Sequence, residues 1–216
     1  MKLRNLFFIT SRGFLLHVTT SLYIHTFTSM TERFSTSTEP SLENKESTET
    51  AHLEPPSVKY KDTFIEALKE FHKEGKYTYL DVEELETDFD AFLKKIPEIR
   101  KAMNNVPESE FWLVDNDQYI GRLSIRHELN EELLLHGGHI GYAIRPSERK
   151  KGYATKALEQ GLIEAHNLGL TRVLLTCDST NVASRKIIEK HGGTLENEVD
   201  GRPGDPSILR FWIDIM

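Results

Sequence analysis

The spacing of apolar residues changes character twice along the chain. Between 60 and 97 it is helical. Tyr60, Phe64, Leu68 and Phe71 recur every three or four positions, with Gly75 as a stop. Thr63 with Glu66 has the form of a capping box and predicts the start. A second helix is predicted from about Asp81, with Leu85, Phe89, Phe92, Leu93 and Ile96 on one face and Pro97 at its end. From Phe111 the period shortens to two. Phe111–Val114 and Tyr119–His127 flank Asp115-Asn116-Asp117-Gln118, a hairpin signal, and Leu123 and Ile125 alternate with Arg122, Ser124 and Arg126. The stretch from Glu131 to Gly138 reads as a loop into the apolar run His139–Ile144. Ala154, Ala157, Leu158, Gly161, Leu162 and Ala165 then mark a helix. Val173–Cys177 is a buried strand, and Asp178–Asn181 offers an N-cap for a helix carrying Ala183, Ile187 and Ile188 that stops at Gly192-Gly193. Residues 194–199 and 208–215 form a last strand pair. The predicted order is two helices, three strands, helix, strand, helix, two strands, an α+β chain.

The first 56 residues break this pattern. Residues 1–29 carry Lys2, Arg4 and Arg12 but no acidic residue, a composition suited to a mitochondrial transit peptide. The alternative is a disordered leader, or translation from an upstream start with Met30 as the later initiator. Their apolar runs are too short to span a bilayer. Residues 30–56, rich in Ser, Thr, Glu and Pro, read as a disordered linker. The expectation is a leader and linker over 1–56 and one folded domain over 57–216, cytoplasmic, or mitochondrial if 1–29 acts as a transit peptide. A length of 216 residues suits one domain better than two.

Charge and cysteine usage narrow the function. A formal net charge of −7 argues against a general nucleic-acid binder, which needs a basic surface. Cys177 is the only cysteine, so neither an intrachain disulfide nor a Cys-based zinc site is expected. His136-Gly-Gly-His139 is a poor metal site without further ligands, so no metal is expected.

The stretch from Arg145 to Thr155 carries the chemistry. A strand, a basic turn containing Gly152 and a helix N-terminus form an anion-binding device. The first-turn amides point outward, the helix dipole adds positive charge, and a residue without Cβ lets phosphate approach the backbone. Arg149, Lys150 and Lys151 would add charge-assisted contacts. No Walker loop is present, and a three-glycine dinucleotide fingerprint is missing as well.

The chain resembles the GNAT superfamily of acyl-CoA-dependent N-acetyltransferases on three features. Arg149-x-x-Gly152-x-Ala154 fits that family's pyrophosphate loop, Ile140-Gly141-Tyr142 opens the preceding strand, and Asn181-x-x-Ser184 with Gly192 follows the next one. The match covers roughly 110–216 well and the preceding helices more loosely. The resemblance implies a three-layer α/β/α arrangement with a mixed, mostly antiparallel sheet splayed at the cofactor site. It implies acetyl-CoA as acyl donor, held by backbone at Ala143, Ile144 and Arg145, by the loop Arg149, Lys150, Lys151, Gly152, Tyr153, Ala154 and Thr155, and by Asn181, with Ser184 nearby. It implies an amine acceptor, either a small molecule or a protein N-terminus or lysine, with no nucleic acid or membrane partner; a homodimer is compatible with it. Net acidity would favour cationic amines. Base candidates are His139 and Glu128, with His136 and Asp178 behind them. The Tyr that many members carry seven residues after the Asn is Ile188 here, which leaves the acid open between Tyr142, Tyr153 and water. It also keeps alive a second reading, a non-catalytic acyl-CoA sensor on the same scaffold.

Overall fold

The computed structural model describes residues 48–215; the leader read over 1–29 and the linker up to residue 47 lie outside it. Two antiparallel sheets form the centre. The first runs β1 (His52–Glu54), β2 (Glu108–Asp115), β3 (Gln118–Arg126) and β4 (Ile140–Ile144) in chain order. The second places β7 (Ile208–Asp214) between β5 (Arg172–Asp178) and β6 (Thr194–Val199). The helices are α1 (Lys61–Lys73), α2 (Val82–Thr87), α3 (Phe89–Asn104), α4 (Glu131–His136), α5 (Tyr153–Asn167) and α6 (Val182–Lys190).

The period-two pattern of β3 sorts the layers. Leu123 and Ile125 pack with Ala157, Leu158 and Ala165 of α5 in a core shared with Val173 and Leu175 of β5. Arg122 stands opposite Trp112 on β2, and Trp112 belongs to an aromatic core with Phe64 of α1 and Phe89 of α3. Phe64 stacks on Trp112 at 4.8 Å between centroids and meets Tyr119 edge-on at 5.0 Å. The sheet thus carries helices on both faces, and two hydrophobic clusters fill the spaces between.

Several local expectations are corrected. Folded structure starts before Tyr60: β1 lies inside the stretch read as linker and pairs with Trp112–Val114 of β2. No capping box starts α1. Its N-cap is Tyr60, without a side-chain bond, and Thr63 Oγ1 instead donates to Tyr60 O and accepts the Tyr119 amide. The second predicted helix is two helices, because Asp88 leaves helical geometry and turns its carboxylate to the Ala91 amide. Pro97 does not end α3, which continues to Asn104. Pro97 is exposed, and the burial of Ile96 beside it holds the helix through the missing backbone bond. The loop read over 131–138 holds α4, capped by the Asn130 side chain on the Leu133 amide.

The sheets meet at one place. The His139 amide donates to Leu174 O at 2.7 Å, and the Leu174 amide donates to His139 Nδ1 at 2.9 Å. Gly138, at φ +65°, lies flat against this junction, where a Cβ would stand 2.4 Å from Leu174 O. Beyond it the strands belong to separate sheets, and no ladder joins β4 to β5. The gap so opened is the splay that the resemblance implied.

His139 is 7% exposed, and burial, with Arg126 adding to it, pushes its imidazole down to about 4. A histidine kept neutral by folding stabilises fully above its unfolded pKa near ~6.5 and loses that contribution as pH falls toward 4. Urea unfolding should therefore show stability dropping by up to about 3 kcal/mol between pH 6.5 and 4. His139→Asn retains an acceptor for the Leu174 amide without titrating, and should flatten that part of the profile.

Candidate functional site

The gap between β4 and β5 ends at the basic turn. After Ile144 the chain passes Arg145, a 3-10 turn at Pro146–Glu148, and then Lys150 at φ +65° and Gly152 at φ +95° before α5 begins. Gly152 is the N-cap of α5 and sits in the left-handed region, where any Cβ is strained. As a glycine this N-cap brings no capping side chain, in contrast to Asp81, Asp88, Asn130 and Asn181 at four other helix starts. The amides of Ala154 and Thr155 in the first turn of α5 have no hydrogen-bond partner among the described residues, and the helix dipole stands behind them.

The turn is held from the side by Glu70 of α1 and by Glu74, the C-cap of that helix. Glu70 accepts from Arg145 Nε at 3.1 Å, from Ser147 N at 3.0 Å and from Ser147 Oγ at 3.0 Å. Burial pushes the Glu70 carboxyl up, but Arg145 and Ser147 outweigh it and leave it below the usual range. One helical turn later Glu74 takes Arg149 in a fork of 2.6 and 2.8 Å, while Arg149 Nε donates to Ile144 O at 3.1 Å. Lys151 pairs with Glu148 at 2.9 Å. Of the basic residues expected to meet phosphate, Arg145 is buried in a structural ion pair and Arg149 and Lys151 are already paired, whereas Lys150 is exposed with no ionic partner among the described residues. Glu70 and Glu74 were invisible in the sequence. Their spacing of four matches that of Arg145 and Arg149, but nothing along the chain says that the two pairs meet.

Tyr153 turns inward. Its hydroxyl donates to Asp115 Oδ2 at 2.7 Å, and the other oxygen of that buried carboxylate takes the Thr50 hydroxyl. Burial and Asp115 push the Tyr153 phenol well up. Asp115, a hairpin-turn residue by its sequence context, also fastens the start of α5. Ala154 and Thr155 occupy the first turn of α5, half-buried, and Ala143 and Ile144 close β4.

Across the gap, Asn181 caps α6 through a bond from the Ser184 amide to its Oδ1 at 3.1 Å, which leaves its amide nitrogen for another partner. Ile188 is 1% exposed and belongs to the core, so the helix offers no hydroxyl there. A hydroxyl arrives instead from β4. Tyr142 is directed at the first turn of α6, its buried oxygen beside Ser184 but without a hydrogen bond of ordinary geometry, and burial pushes its phenol up.

The other candidates scatter. Glu128 is exposed in the bend after β3, without a hydrogen-bonded or ionic partner among the described residues. His136 is spent on Glu132 and on Asp200 O. Asp178 ends β5, exposed. Among the described residues no group of three or more side chains is placed to hold a metal ion, and no helix is long and apolar enough to cross a membrane.

The glycine-led helix start, fed by a strand that parts from its neighbour, is the arrangement that the resemblance to the GNAT superfamily implied. The model of the acetyltransferase (GNAT) domain matches residues 53–194, and the chain belongs to that family. Solved structures with the same fold include the microcin C7 self-immunity acetyltransferase MccE in complex with acetyl-CoA and AMP, at 16% identity and TM-score 0.58 over 77% of this chain and 93% of that one. Mycobacterium smegmatis RimJ in complex with CoA-disulfide matches at 18% and 0.57, over 76% and 81%. A chimeric spermidine N-acetyltransferase from Vibrio cholerae and hSSAT matches at 19% and 0.54, over 76% and 95%. No curated protein matches the chain.

Replacing Gly152 by valine forces a β-branched residue into φ +95° and sets a side chain beside the Ala154 and Thr155 amides. Calorimetry should show acetyl-CoA affinity falling by roughly tenfold or more, a loss of about 1.4 kcal/mol, while circular dichroism stays that of the unsubstituted protein.

Proposed function

We propose that this protein transfers the acetyl group of acetyl-CoA to a primary amine by direct attack within a ternary complex. The glycine-led start of α5 behind Gly152 carries the reading, since it matches a diphosphate in charge and in close backbone approach. The unpaired edges of β4 and β5 supply amides and carbonyls for the pantetheine arm, and a β4 amide facing the thioester oxygen would be worth roughly 3–4 kcal/mol as charge develops there. Asn181 adds its free amide nitrogen. Arg149 meets a phosphate by exchanging Glu74 for it, and Lys150 is free to approach directly.

In the transfer, the neutral amine attacks the carbonyl carbon, the carbon–sulfur bond breaks, and the amine releases a proton to water. We assign His139 a structural role, because its Nδ1 lone pair holds the Leu174 amide and its proton resides on Nε2. We assign the acid to Tyr142. Its raised pKa keeps it protonated, and its hydroxyl is unspent at the gap, whereas that of Tyr153 is given to Asp115. Tyr142→Phe should lower kcat by roughly 10²-fold and leave the KM for acetyl-CoA near its original value.

The sensor reading draws on Ile188 in the core. Thiol release from acetyl-CoA over a panel of amines separates the two: tight acetyl-CoA binding with no release for any amine rejects the transferase and keeps the sensor.

A further inference from the structure

The face of the first sheet that lies under α1 and α3 carries a pocket unlike the rest of this acidic chain. Its walls are aromatic: Phe71 and Tyr77 meet edge to face at 4.9 Å, with Trp112 on the sheet side. Tyr77 is held at φ +56°, an unusual state for a bulky residue and one that collects at ligand sites. At the bottom Arg122 takes both oxygens of Glu110, with Nε at 2.9 Å and Nη2 at 2.6 Å. Arg100 shares that carboxylate: its buried Nε stands 3.0 Å from Glu110 Oε2 without completing a hydrogen bond, its Nη1 reaches only the Met103 sulfur at 3.9 Å, and its Nη2 reaches Glu110 at a long 3.4 Å. Glu108 and Arg126 lie behind and offset each other, so the cluster keeps one positive charge in excess. Tyr119 is 2% exposed, and its hydroxyl has no hydrogen-bond partner among the described residues while facing Arg100 and Arg122. A buried guanidinium with an unmade hydrogen bond and an unpartnered hydroxyl on the pocket wall favour an anion.

The pocket also leads toward the reaction. Arg122 is the Cα partner of Ala143 on β4, so the pocket stands one strand spacing, about 5 Å, from the strand that edges the gap. On this face β4 presents only Gly141 and Ala143. Above Gly141 a Cβ would meet nothing closer than Ser124 Oγ and Arg126 Nη2, both at 3.6 Å, and the Ser124 hydroxyl is a third buried donor without a partner.

We propose that this pocket binds the acceptor, and that the acceptor is an amine whose apolar, ring-sized body ends in a carboxylate. The carboxylate sits on Arg100 and the Tyr119 hydroxyl, the body lies among Phe71, Tyr77 and Trp112, and the amine crosses above Gly141 to the thioester. This rests on the acetyltransferase reading. It departs from the preference for purely cationic amines that net charge alone suggests. Water-sized room within the pocket amounts to about 40 Å³, enough for roughly three molecules, so a ring enters by displacing Tyr79, which is 53% exposed at the rim.

Phenylacetate and benzylamine share a ring and carry opposite heads. With the full chain, saturation-transfer NMR should show phenylacetate binding at least about tenfold tighter than benzylamine or spermidine, the scale of one charge-assisted hydrogen bond. Tyr119→Phe, which removes only the unpartnered oxygen, and Arg100→Gln should each weaken phenylacetate several-fold. As substrates, 4-(aminomethyl)benzoate should exceed benzylamine by a similar factor in kcat/KM. Absence of phenylacetate binding, equal or tighter binding of the cations, or indifference to both substitutions overturns the pocket assignment. If acetyl-CoA still binds and any amine is acetylated, the transferase reading survives that failure. Failure of acetyl-CoA to bind the unsubstituted chain rejects the transferase instead, whatever phenylacetate does.

Discussion

Two hydrogen bonds between His139 and Leu174 join sheets that otherwise share no ladder, and the functional geometry follows from how little they join. A fully paired β4 and β5 would satisfy each other's backbone and leave no site. Strands unconnected at their start would leave the gap without a fixed width. One backbone bond and one imidazole bond set the vertex, and Gly138 allows the close approach that both require. The imidazole earns its place by being a hydrogen-bond acceptor that burial keeps neutral, so a residue that looks like a base from its position behaves as a hinge pin.

The chain shows two styles of electrostatics. Around the basic turn, Glu70, Glu74 and Glu148 take up most of the positive charge that the loop advertises, and Lys150 with the amides of Ala154 and Thr155 remains. Under α3, arginines outnumber glutamates in a nearly dry cluster. Taking such groups out of water is costly unless each is matched. The shortage of carboxylates beside Arg100 therefore stands out in a chain whose formal net charge is −7. Whole-chain charge and local charge point in opposite directions, and a bound molecule feels mainly the local one.

What the sequence made legible was local chemistry. Pro146, Gly152 and the switch from strand to helix announce a loop whose purpose lies in its own backbone, and the structure places the glycine-led helix start there. The alternation in β3 likewise told which side chains face α5. Long-range contacts were silent. Nothing near Glu70 or Glu74 says that they hold Arg145 and Arg149 from 75 residues away, and Asp115 looks like any turn aspartate until Tyr153 arrives beside it. Pro97 misled because the rule against internal proline assumes that packing does not compensate, and here Ile96 is buried in the aromatic core. Thr63 misled for a related reason: its hydroxyl had a better partner in the Tyr119 amide than in its own helix.

The short strand β1 has a role beyond widening the sheet. Gln160, on the same helix that begins at Gly152, donates to Ala51 O and accepts the Leu53 amide, both at 2.8 Å, while Thr50 shares Asp115 with Tyr153. Residues 50–53 thus work as a strap fastened to the cofactor helix at two points, one near its start and one halfway along. A shortened chain beginning at Tyr60 would retain every residue of the loop yet release the helix that aims it, so the boundary of the working unit lies upstream of the residues that give the family its signature.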